Sequence, residues 1–226
     1  MSTLPILFNT EMVKAILEGR KTVTRRVIKP QPNDSFDRHW ETFTDESGEI
    51  IVLSAPCHPG DILYVRETWR IGAWNYDEKA IAVDYADGSS RLEWIPISDK
   101  TALIRYIRQS IEDSVRAGLP EQHWKPGQAP TRWRPSIHMP SEVARIFLRV
   151  TDVRVERLQE ITDHGARLEG VGDPKVIYYN GALKCDFADL WDSTIKPENL
   201  DSYGWAANPW VWVISFERCE KPENWP

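Results

Sequence analysis

The sequence predicts an α+β protein built on a mixed sheet or a small β-barrel. Apolar runs of strand type recur along the chain, and isolated helical segments separate them without a regular βαβ alternation. With 226 residues the chain can bury a full core, and we expect one domain over residues 1–226. Hydrophobic residues make up 41% and charged residues 27%, which excludes a fibrous or wholly disordered chain.

Charge and composition narrow the class of function. The formal net charge of −6 argues against a protein that coats nucleic acid through bulk electrostatics, although a local basic cleft is compatible with it. The three cysteines form no CxxC pair and the histidines show no HxxxH spacing, so we predict reduced structural cysteines, no metal and no cofactor. No window approaches the roughly 18 apolar residues that span a bilayer. We therefore expect a cytoplasmic protein without membrane contact.

The first elements predict a strand, a helix and a second strand. An apolar run at residues 4–8 is typical of a strand, and the helical pattern after it ends at Gly19, where a left-handed conformation is expected. Residues 21–29 alternate and are rich in β-branched side chains, which favours a strand. The segment Gly19 to Arg26 therefore lies at a helix-to-strand corner.

The middle of the chain predicts further strands, a hairpin and a helix. The expected elements are a short strand at residues 50–53, a strand from Ile62 to Trp69 after a Gly60-Asp61 turn, a hairpin of residues 80–85 and 91–95 joined at Asp87-Gly88, a helix at 98–117, and an ordered loop rich in Pro and Trp at 120–140. The segment at about 72–140 is predicted to be a large insertion.

The C-terminal third predicts a long strand at residues 144–158, bent near 151–152. Thr162 has the character of a helix cap, and a second helix is expected at residues 183–193. A final strand is expected at residues 208–216.

The polar corner from Gly19 to Arg26 is the densest group of chemically active side chains. In a regular strand Lys21 and Thr24 point to opposite faces, so the two share a site only if the chain bends between them. From the residues alone, the alternative is a solvated edge strand protected by its charges.

The pattern Gly19-x-Lys21-x-x-Thr24-x-Arg26 resembles the signature of the ASCH superfamily, a group related to PUA domains. The Gly60-Asp61 strand start and the helix from Thr162 to Glu169 match further family elements in the same order. Together the elements cover about half of the chain. Arg25, where the family pattern has an apolar residue, and the insertion depart from it.

The resemblance implies a PUA-like small β-barrel with flanking helices and a cleft beside the first helix. The superfamily is proposed to bind RNA or nucleotides, and the plan of the chain is similar to ASCH proteins common in phages and prophages. A modified nucleoside or RNA is therefore the expected partner.

Small bacterial members are similar to amidohydrolases that remove the acetyl group from N4-acetylcytidine. Carried over to this chain, the catalytic residues are Lys21, Thr24 and Glu169. The chemistry is a Thr hydroxyl that attacks the acyl carbon, a Lys amine that takes its proton, and a Glu that holds the base or protonates the leaving amine. Arg26 and backbone amides after Gly19 are candidates for oxyanion stabilisation. For Glu169, the alternative is an exposed helix carboxylate.

Two further groups are candidates for ligand contact. Arg66 and Glu67 follow the Gly60-Asp61 strand start and are predicted to face the same cleft, with a structural ion pair as the alternative. Among the tryptophans, candidates to stack a base are Trp69, Trp133 and Trp205. A non-catalytic RNA- or nucleotide-binding module and a ribonuclease remain open as alternatives to the amidohydrolase.

Overall fold

The computed structural model describes residues 2–33, 35–119, 122, 124–223 and 225. The strands in this part are β1 (Thr3–Leu7), β2 (Val23–Val27), β3 (Thr42–Thr44), β4 (Ile50–Val52), β5 (Ile62–Arg66), β6 (Trp69–Asn75), β7 (Ala80–Tyr85), β8 (Ser90–Pro96), β9 (Phe147–Arg157) and β10 (Trp210–Cys219). The α-helices are α1 (Thr10–Leu17), α2 (Lys100–Arg116), α3 (Asp163–Leu168), α4 (Ala182–Thr194) and α5 (Leu200–Tyr203). Within the described residues, no helix combines the length and apolar character that a membrane span needs.

The main sheet is mixed, as predicted. Its strands are hydrogen-bonded in the order β1-β5-β9-β10-β2. The Ile62 N–H donates to the Ser2 carbonyl and the Phe8 N–H donates to the Arg66 carbonyl, so partner numbers rise together and β1 runs parallel to β5. β10 is antiparallel to β2. The α+β class and mixed sheet are confirmed, while the closed PUA-like barrel stays a prediction.

The chain divides into two compact units. The first unit comprises Met1–Ser2, Ala15–Ile62 and Arg149–Arg218. The second unit comprises Thr3–Lys14, Leu63–Leu148 and Cys219–Pro226. Strands β5, β9 and β10 and helix α1 have residues in both units. One domain with an insertion at about 72–140 remains a prediction.

The core of the first unit packs α3 and α4 against the β2–β10 pair. Val23 of β2 and Val213 of β10 are buried with Ala166 of α3 and Phe187 of α4. A shift of β2 by one residue would turn Val23 to the opposite face, so this packing fixes the register of β2. Residues 24–26 of β2 are thereby placed opposite residues 212–214 of β10.

The second unit contains an antiparallel meander and the longest helix. Strands β6, β7 and β8 pair in that order, and every residue of β7 is buried. The predicted hairpin is confirmed as β7 and β8, and the predicted helix at 98–117 is confirmed as α2. Asp99 caps α2 by accepting the N–H groups of Thr101 and Ala102 at 2.9 and 3.0 Å.

Two details of the predicted strands are wrong. The strand predicted from Ile62 to Trp69 ends at Arg66, because the Glu67 N–H donates to Met139 Sδ at 3.2 Å rather than to a strand carbonyl. The sequence also did not predict β6, which pairs with β7, or β3, which pairs with β4. β3 has only three residues, so no periodic pattern develops in it.

Most of the loop predicted at residues 120–140 is ordered against the core. Pro120, Glu121 and His123 lie outside the described residues. The remainder includes a 3-10 turn at Ser136–His138 and the fully buried Met139.

Asp61 of the Gly60-Asp61 turn has a structural role at the start of β5. Its Oδ1 accepts the Ser2 N–H at 2.6 Å and its Oδ2 accepts the His58 N–H at 3.0 Å. These backbone hydrogen bonds lower the pKa of Asp61 below its ordinary value. The motif therefore fixes the beginning of the strand.

The reactivity of two cysteines tests whether Cys57, close to Asp61, is buried as the structure shows. Cys57 is buried and its pKa is raised to about 11, first by burial and then by the charge of Asp61, whereas Cys185 is exposed. Because the thiolate is the reactive form, two pKa units lower the reactive fraction of Cys57 about 100-fold at pH 8. We expect iodoacetamide to modify Cys185 at least about 100-fold faster than Cys57, as measured by peptide mass spectrometry. In urea the two rates should become similar, and equal rates in the folded protein would contradict the burial of Cys57.

Candidate functional site

The corner after α1 turns back on the helix, as the sequence predicts. Gly19 has φ of 75°, in the left-handed region that glycine adopts most readily. The N–H groups of Arg20 and Lys21 both donate to the Ala15 carbonyl, at 2.8 and 3.0 Å. The backbone of Lys21 is therefore held against the last turn of α1, and its side chain enters the interior of the first unit.

The Lys21 ammonium has a complete set of protein acceptors. Nζ donates to the Val23 carbonyl at 2.9 Å, to the Glu169 carbonyl at 3.0 Å and to Glu169 Oε2 at 2.5 Å. The side chain is 0% exposed. Burial lowers the pKa of Lys21, and the adjacent Glu169 carboxylate opposes that effect. The result is a desolvated amine in contact with a proton acceptor.

Glu169 stands directly after α3 and is buried, so its interpretation as an exposed helix carboxylate is wrong. Thr162 begins this helix as predicted, because its Oγ1 accepts the Gly165 N–H at 3.1 Å. At the other end, Glu169 Oε2 contacts Lys21 and Oε1 accepts from Arg25 Nη1 at 3.1 Å. One carboxylate thus joins two buried cations.

Arg25 and Glu156 belong to the same charged network, and sequence reasoning did not include them. Arg25 Nη2 donates to Glu156 Oε2 at 3.2 Å, and the Arg25 side chain is 3% exposed. Lys21, Val23 and Arg25 have the same parity, so strand alternation places all three on one face. This alternation is the sequence feature that could have placed Arg25 on the same face as Lys21. Glu156 is 131 positions away on β9, and no local pattern indicates it.

Thr24 is buried in β2 opposite Ile214 of β10. By strand alternation its side chain faces away from the side that carries Val23 and Arg25. The structure therefore brings Lys21 and Glu169 together, while the participation of Thr24 as nucleophile stays a prediction.

Arg26 adds a third positive charge near this network. Burial lowers the pKa of Arg26, and the Glu169 carboxylate partly offsets the shift. Since the charge of Arg26 also lowers the pKa of Lys21, the two side chains influence each other electrostatically. Its role in oxyanion stabilisation remains a prediction.

Gly170 allows the chain to pass close to Lys21. Its φ is +89°, and a Cβ added there would lie 2.9 Å from Ala15 Cβ and 3.2 Å from Lys21 Cβ. Arg20 Nη1 also donates to the Gly170 carbonyl at 2.8 Å. The absence of a side chain at position 170 is thus part of the geometry that holds Lys21.

Arg66 and Glu67 lie in the second unit and have separate partners. Glu67 forms a two-pronged ion pair with Arg145, with Nε–Oε1 and Nη2–Oε2 distances of 2.9 and 2.8 Å. Arg66 Nε donates to the Met139 carbonyl at 2.9 Å. The structural ion pair considered from sequence therefore involves Arg145 in place of Arg66. Substrate contact by either residue remains a prediction.

The three candidate tryptophans have different environments. Trp69 is 0% exposed, so its interpretation as a base-stacking platform is wrong. Trp205 packs edge-on against Phe187 in the first unit. Trp133 is 44% exposed, with the Arg70 guanidinium carbon 4.4 Å from its ring centroid. Stacking of a base on Trp133 or Trp205 stays a prediction.

Comparisons with known proteins give little further information. No family model and no curated protein matches the chain. Among solved structures, a crystal structure of an ASCH domain from Lactobacillus crispatus JV V101 aligns with 96% of this chain and 79% of that chain, at 11% sequence identity and a TM-score of 0.33. A similarity at this level does not establish the family of the chain.

The charged network predicts an order of stabilities. In Glu169→Gln, Lys21 and Arg25 both lose their shared carboxylate, and we expect a loss of about 3–5 kcal/mol in the free energy of unfolding. In Lys21→Met, Glu169 keeps its ion pair with Arg25, while the Val23 and Glu169 carbonyls each lose one hydrogen-bond donor. We therefore expect a loss of about 1–3 kcal/mol in the free energy of unfolding. Urea unfolding measures both. Glu18→Gln, which removes an exposed pair with Arg20, is the control and should cost under about 1 kcal/mol. A larger loss in Lys21→Met than in Glu169→Gln would contradict this account.

Gly19 and Gly170 predict a second difference in stability. Gly19→Ala meets no atom within 4 Å, so only the left-handed backbone costs stability, by about 1–2 kcal/mol. Gly170→Ala adds steric overlap with Ala15 and Lys21 to the same backbone cost, giving about 2–5 kcal/mol. Urea unfolding of the two variants measures the difference, and equal losses would show that position 170 is not closely packed.

Proposed function

We propose that this protein is an amidohydrolase that removes an acyl group from N4-acetylcytidine or a related modified nucleoside. The observation that carries the proposal is the buried contact of 2.5 Å between Lys21 Nζ and Glu169 Oε2 at the helix-to-strand corner. A lysine with a lowered pKa in direct contact with a carboxylate is suited to proton transfer. The substrate class comes from the motif resemblance, including an ASCH-type assignment of Lys21, Thr24 and Glu169.

The proposed reaction begins with a proton transfer within the pair. The Lys21 ammonium gives a proton to Glu169, which leaves a neutral amine and a carboxylic acid. Thr24 Oγ1 attacks the acyl carbon as Lys21 takes the hydroxyl proton, and the C–N4 bond breaks as Glu169 protonates the leaving nitrogen. Cytidine leaves and an acyl-threonine ester remains. Water then attacks the ester with the same two residues in the same roles, which releases the acid and restores Thr24.

The charge of the cluster favours this chemistry. The cluster has four formal positive charges and three formal negative charges, on Lys21, Arg25, Arg26 and Arg154 and on Asp152, Glu156 and Glu169. A cluster with one excess positive charge stabilises the oxyanion of a tetrahedral intermediate, especially in a desolvated environment. This is the contribution we assign to Arg26, together with backbone amides after Gly19.

The mechanism requires movement. Because the Lys21 side chain is 0% exposed, a nucleoside reaches Nζ only when a neighbouring segment opens. Gly170 packs directly on Lys21 and lies at the start of the segment that connects α3 to α4, so we expect the opening there. Because Thr24 faces away from the side of β2 that carries Arg25, the chain between Lys21 and Thr24 must also rearrange to bring Thr24 Oγ1 within about 3 Å of Nζ in the substrate complex.

A non-catalytic nucleotide- or RNA-binding module is the second candidate function. The observation that favours it is the full use of the three Lys21 N–H groups by protein acceptors, which is also the arrangement of a structural ion pair. A module of this kind needs no proton transfer between Lys21 and Glu169.

Release of cytidine from N4-acetylcytidine, followed by chromatography, tests the proposal. We expect turnover by the wild type and a loss of at least about 100-fold in Lys21→Met and Thr24→Val, since each removes a proton-transfer or nucleophilic group. Thr42→Val, on β3, is the matched control and should keep full activity. Activity should fall as the pH rises through the lowered pKa of Lys21, because the pair then loses the one proton that Glu169 gives to the leaving nitrogen.

The other outcomes identify the alternatives. An inactive wild type that binds RNA in a salt-dependent manner would select the binding module. Release of short fragments from single-stranded RNA would identify a ribonuclease. Equal activity of the wild type and Thr24→Val would exclude the threonine nucleophile.

A further inference from the structure

A basic cleft of about 660 Å³ lies within the second unit. Its walls come from the beginning of α2 and from the segment of residues 132–142. The lining includes four arginines, namely Arg66, Arg105, Arg132 and Arg134, together with the aromatic side chains of Tyr106 and Trp133. A cleft of this volume accommodates a small organic molecule.

Arg134 is held rigidly in the wall of this cleft. Its backbone N–H and carbonyl pair with Trp69, at 2.7 and 3.2 Å. Its guanidinium carbon lies 5.1 Å from the Tyr106 ring centroid, and Nη1 donates to Gln109 Oε1 at 2.7 Å. The side chain is therefore positioned by contacts on several sides.

In the described part of the chain, the Nε–Nη2 edge of the Arg134 guanidinium forms no hydrogen bond. Nε and Nη2 are buried and have no acceptor among the described residues. No carboxylate in the described part of the chain forms an ion pair with Arg134, which as a whole is 8% exposed. An uncompensated buried guanidinium is unfavourable for folding, so its presence in a cleft points to a ligand.

The same guanidinium edge holds carboxylates elsewhere in the second unit. Arg132 uses Nε and Nη2 to bind the Asp113 carboxylate, at 2.9 and 2.6 Å. Arg145 uses the same two nitrogens to bind Glu67, at 2.9 and 2.8 Å. These pairs show which chemical group fits the Nε–Nη2 edge, namely an oxyanion with two acceptor oxygens.

We propose that the cleft binds a small organic anion whose carboxylate or phosphate group accepts hydrogen bonds from Nε and Nη2 of Arg134. The body of the ligand contacts the apolar and aromatic lining, including Trp133 and Pro135. Since the two nitrogens are covered from water, binding displaces a lining side chain. Trp133 is 44% exposed, against 7% for Tyr106, and is therefore the more easily displaced of the two.

The other charges of the lining support an anionic ligand. Asp99 caps α2, and Glu142 Oε1 accepts the Ser98 N–H at 3.2 Å. Arg132 is neutralised by Asp113. With the Arg132–Asp113 pair set aside, the three positive charges of Arg66, Arg105 and Arg134 exceed the two negative charges of Asp99 and Glu142 by one, which favours an anion over a cation.

Isothermal titration calorimetry at low salt tests the site with four probes. Benzoate carries a carboxylate and cytidine 5′-monophosphate carries a phosphate, while benzamide and cytidine are their uncharged counterparts. We expect the wild type to bind at least one anion, and at least 10-fold more tightly than its uncharged counterpart. Which anion binds identifies the carboxylate or the phosphate.

Two variants distinguish the Nε–Nη2 edge from a general charge effect. Arg134→Lys keeps the positive charge but removes the two-pronged edge, so the affinity for the anion should fall at least 10-fold. Arg149→Gln, at an exposed arginine of the first unit, is the control and should stay within about twofold of wild type. Lys21→Met should also bind normally, which separates this site from the proposed amidohydrolase.

Gln109→Glu gives a test that keeps Arg134 in place. A carboxylate at position 109 neutralises the Arg134 charge, so this variant should melt at a higher temperature than wild type and bind the anion at least 10-fold more weakly. No binding of either anion by the wild type at millimolar concentration would overturn the proposal. Unchanged affinity in Arg134→Lys or in Gln109→Glu would overturn it as well.

Discussion

The buried carboxylate of Glu169 is the interaction on which the candidate site depends. It contacts Lys21 through Oε2 and Arg25 through Oε1, and its own carbonyl accepts a further hydrogen bond from Lys21. Cations removed from water are costly, and each is tolerated here because a carboxylate lies within hydrogen-bond distance. The position of this one carboxylate therefore controls both the stability of the corner and the protonation of Lys21.

The backbone makes this contact possible. Gly19 turns the chain so that Lys21 enters the interior, and Gly170 lets the end of α3 approach without a side chain between them. The Thr22 N–H donates to the Leu168 carbonyl at 2.9 Å, which ties the two segments together beside the ion pair. Gly19 and Gly170 thus determine where the Lys21 side chain lies, and this position brings Lys21 into contact with Glu169.

Local signals predicted the parts of this fold that depend on a few neighbouring residues. Gly19, the Asp87-Gly88 turn and the Thr162 cap each mark the end or beginning of an element correctly, because the backbone conformation at a turn or cap is decided nearby. The pairing of Arg25 with Glu156 joins residues 131 positions apart, and the burial of Glu169 depends on two cations of β2. Nothing adjacent to these residues in the sequence indicates such partners, so only the folded chain reveals them.

The buried cations of the two candidate sites differ in whether a carboxylate of the protein pairs with them. Lys21 and Arg25 are each paired with a carboxylate of the protein, so the reaction that we propose there needs only a redistribution of protons inside an existing network. Arg134 has no such carboxylate among the described residues, although Arg132 and Arg145 in the same unit do. An incoming anion at Arg134 supplies the missing charge and gains the attraction of a desolvated guanidinium. This difference is the reason that we propose proton transfer at the first site and recognition of an anion at the second.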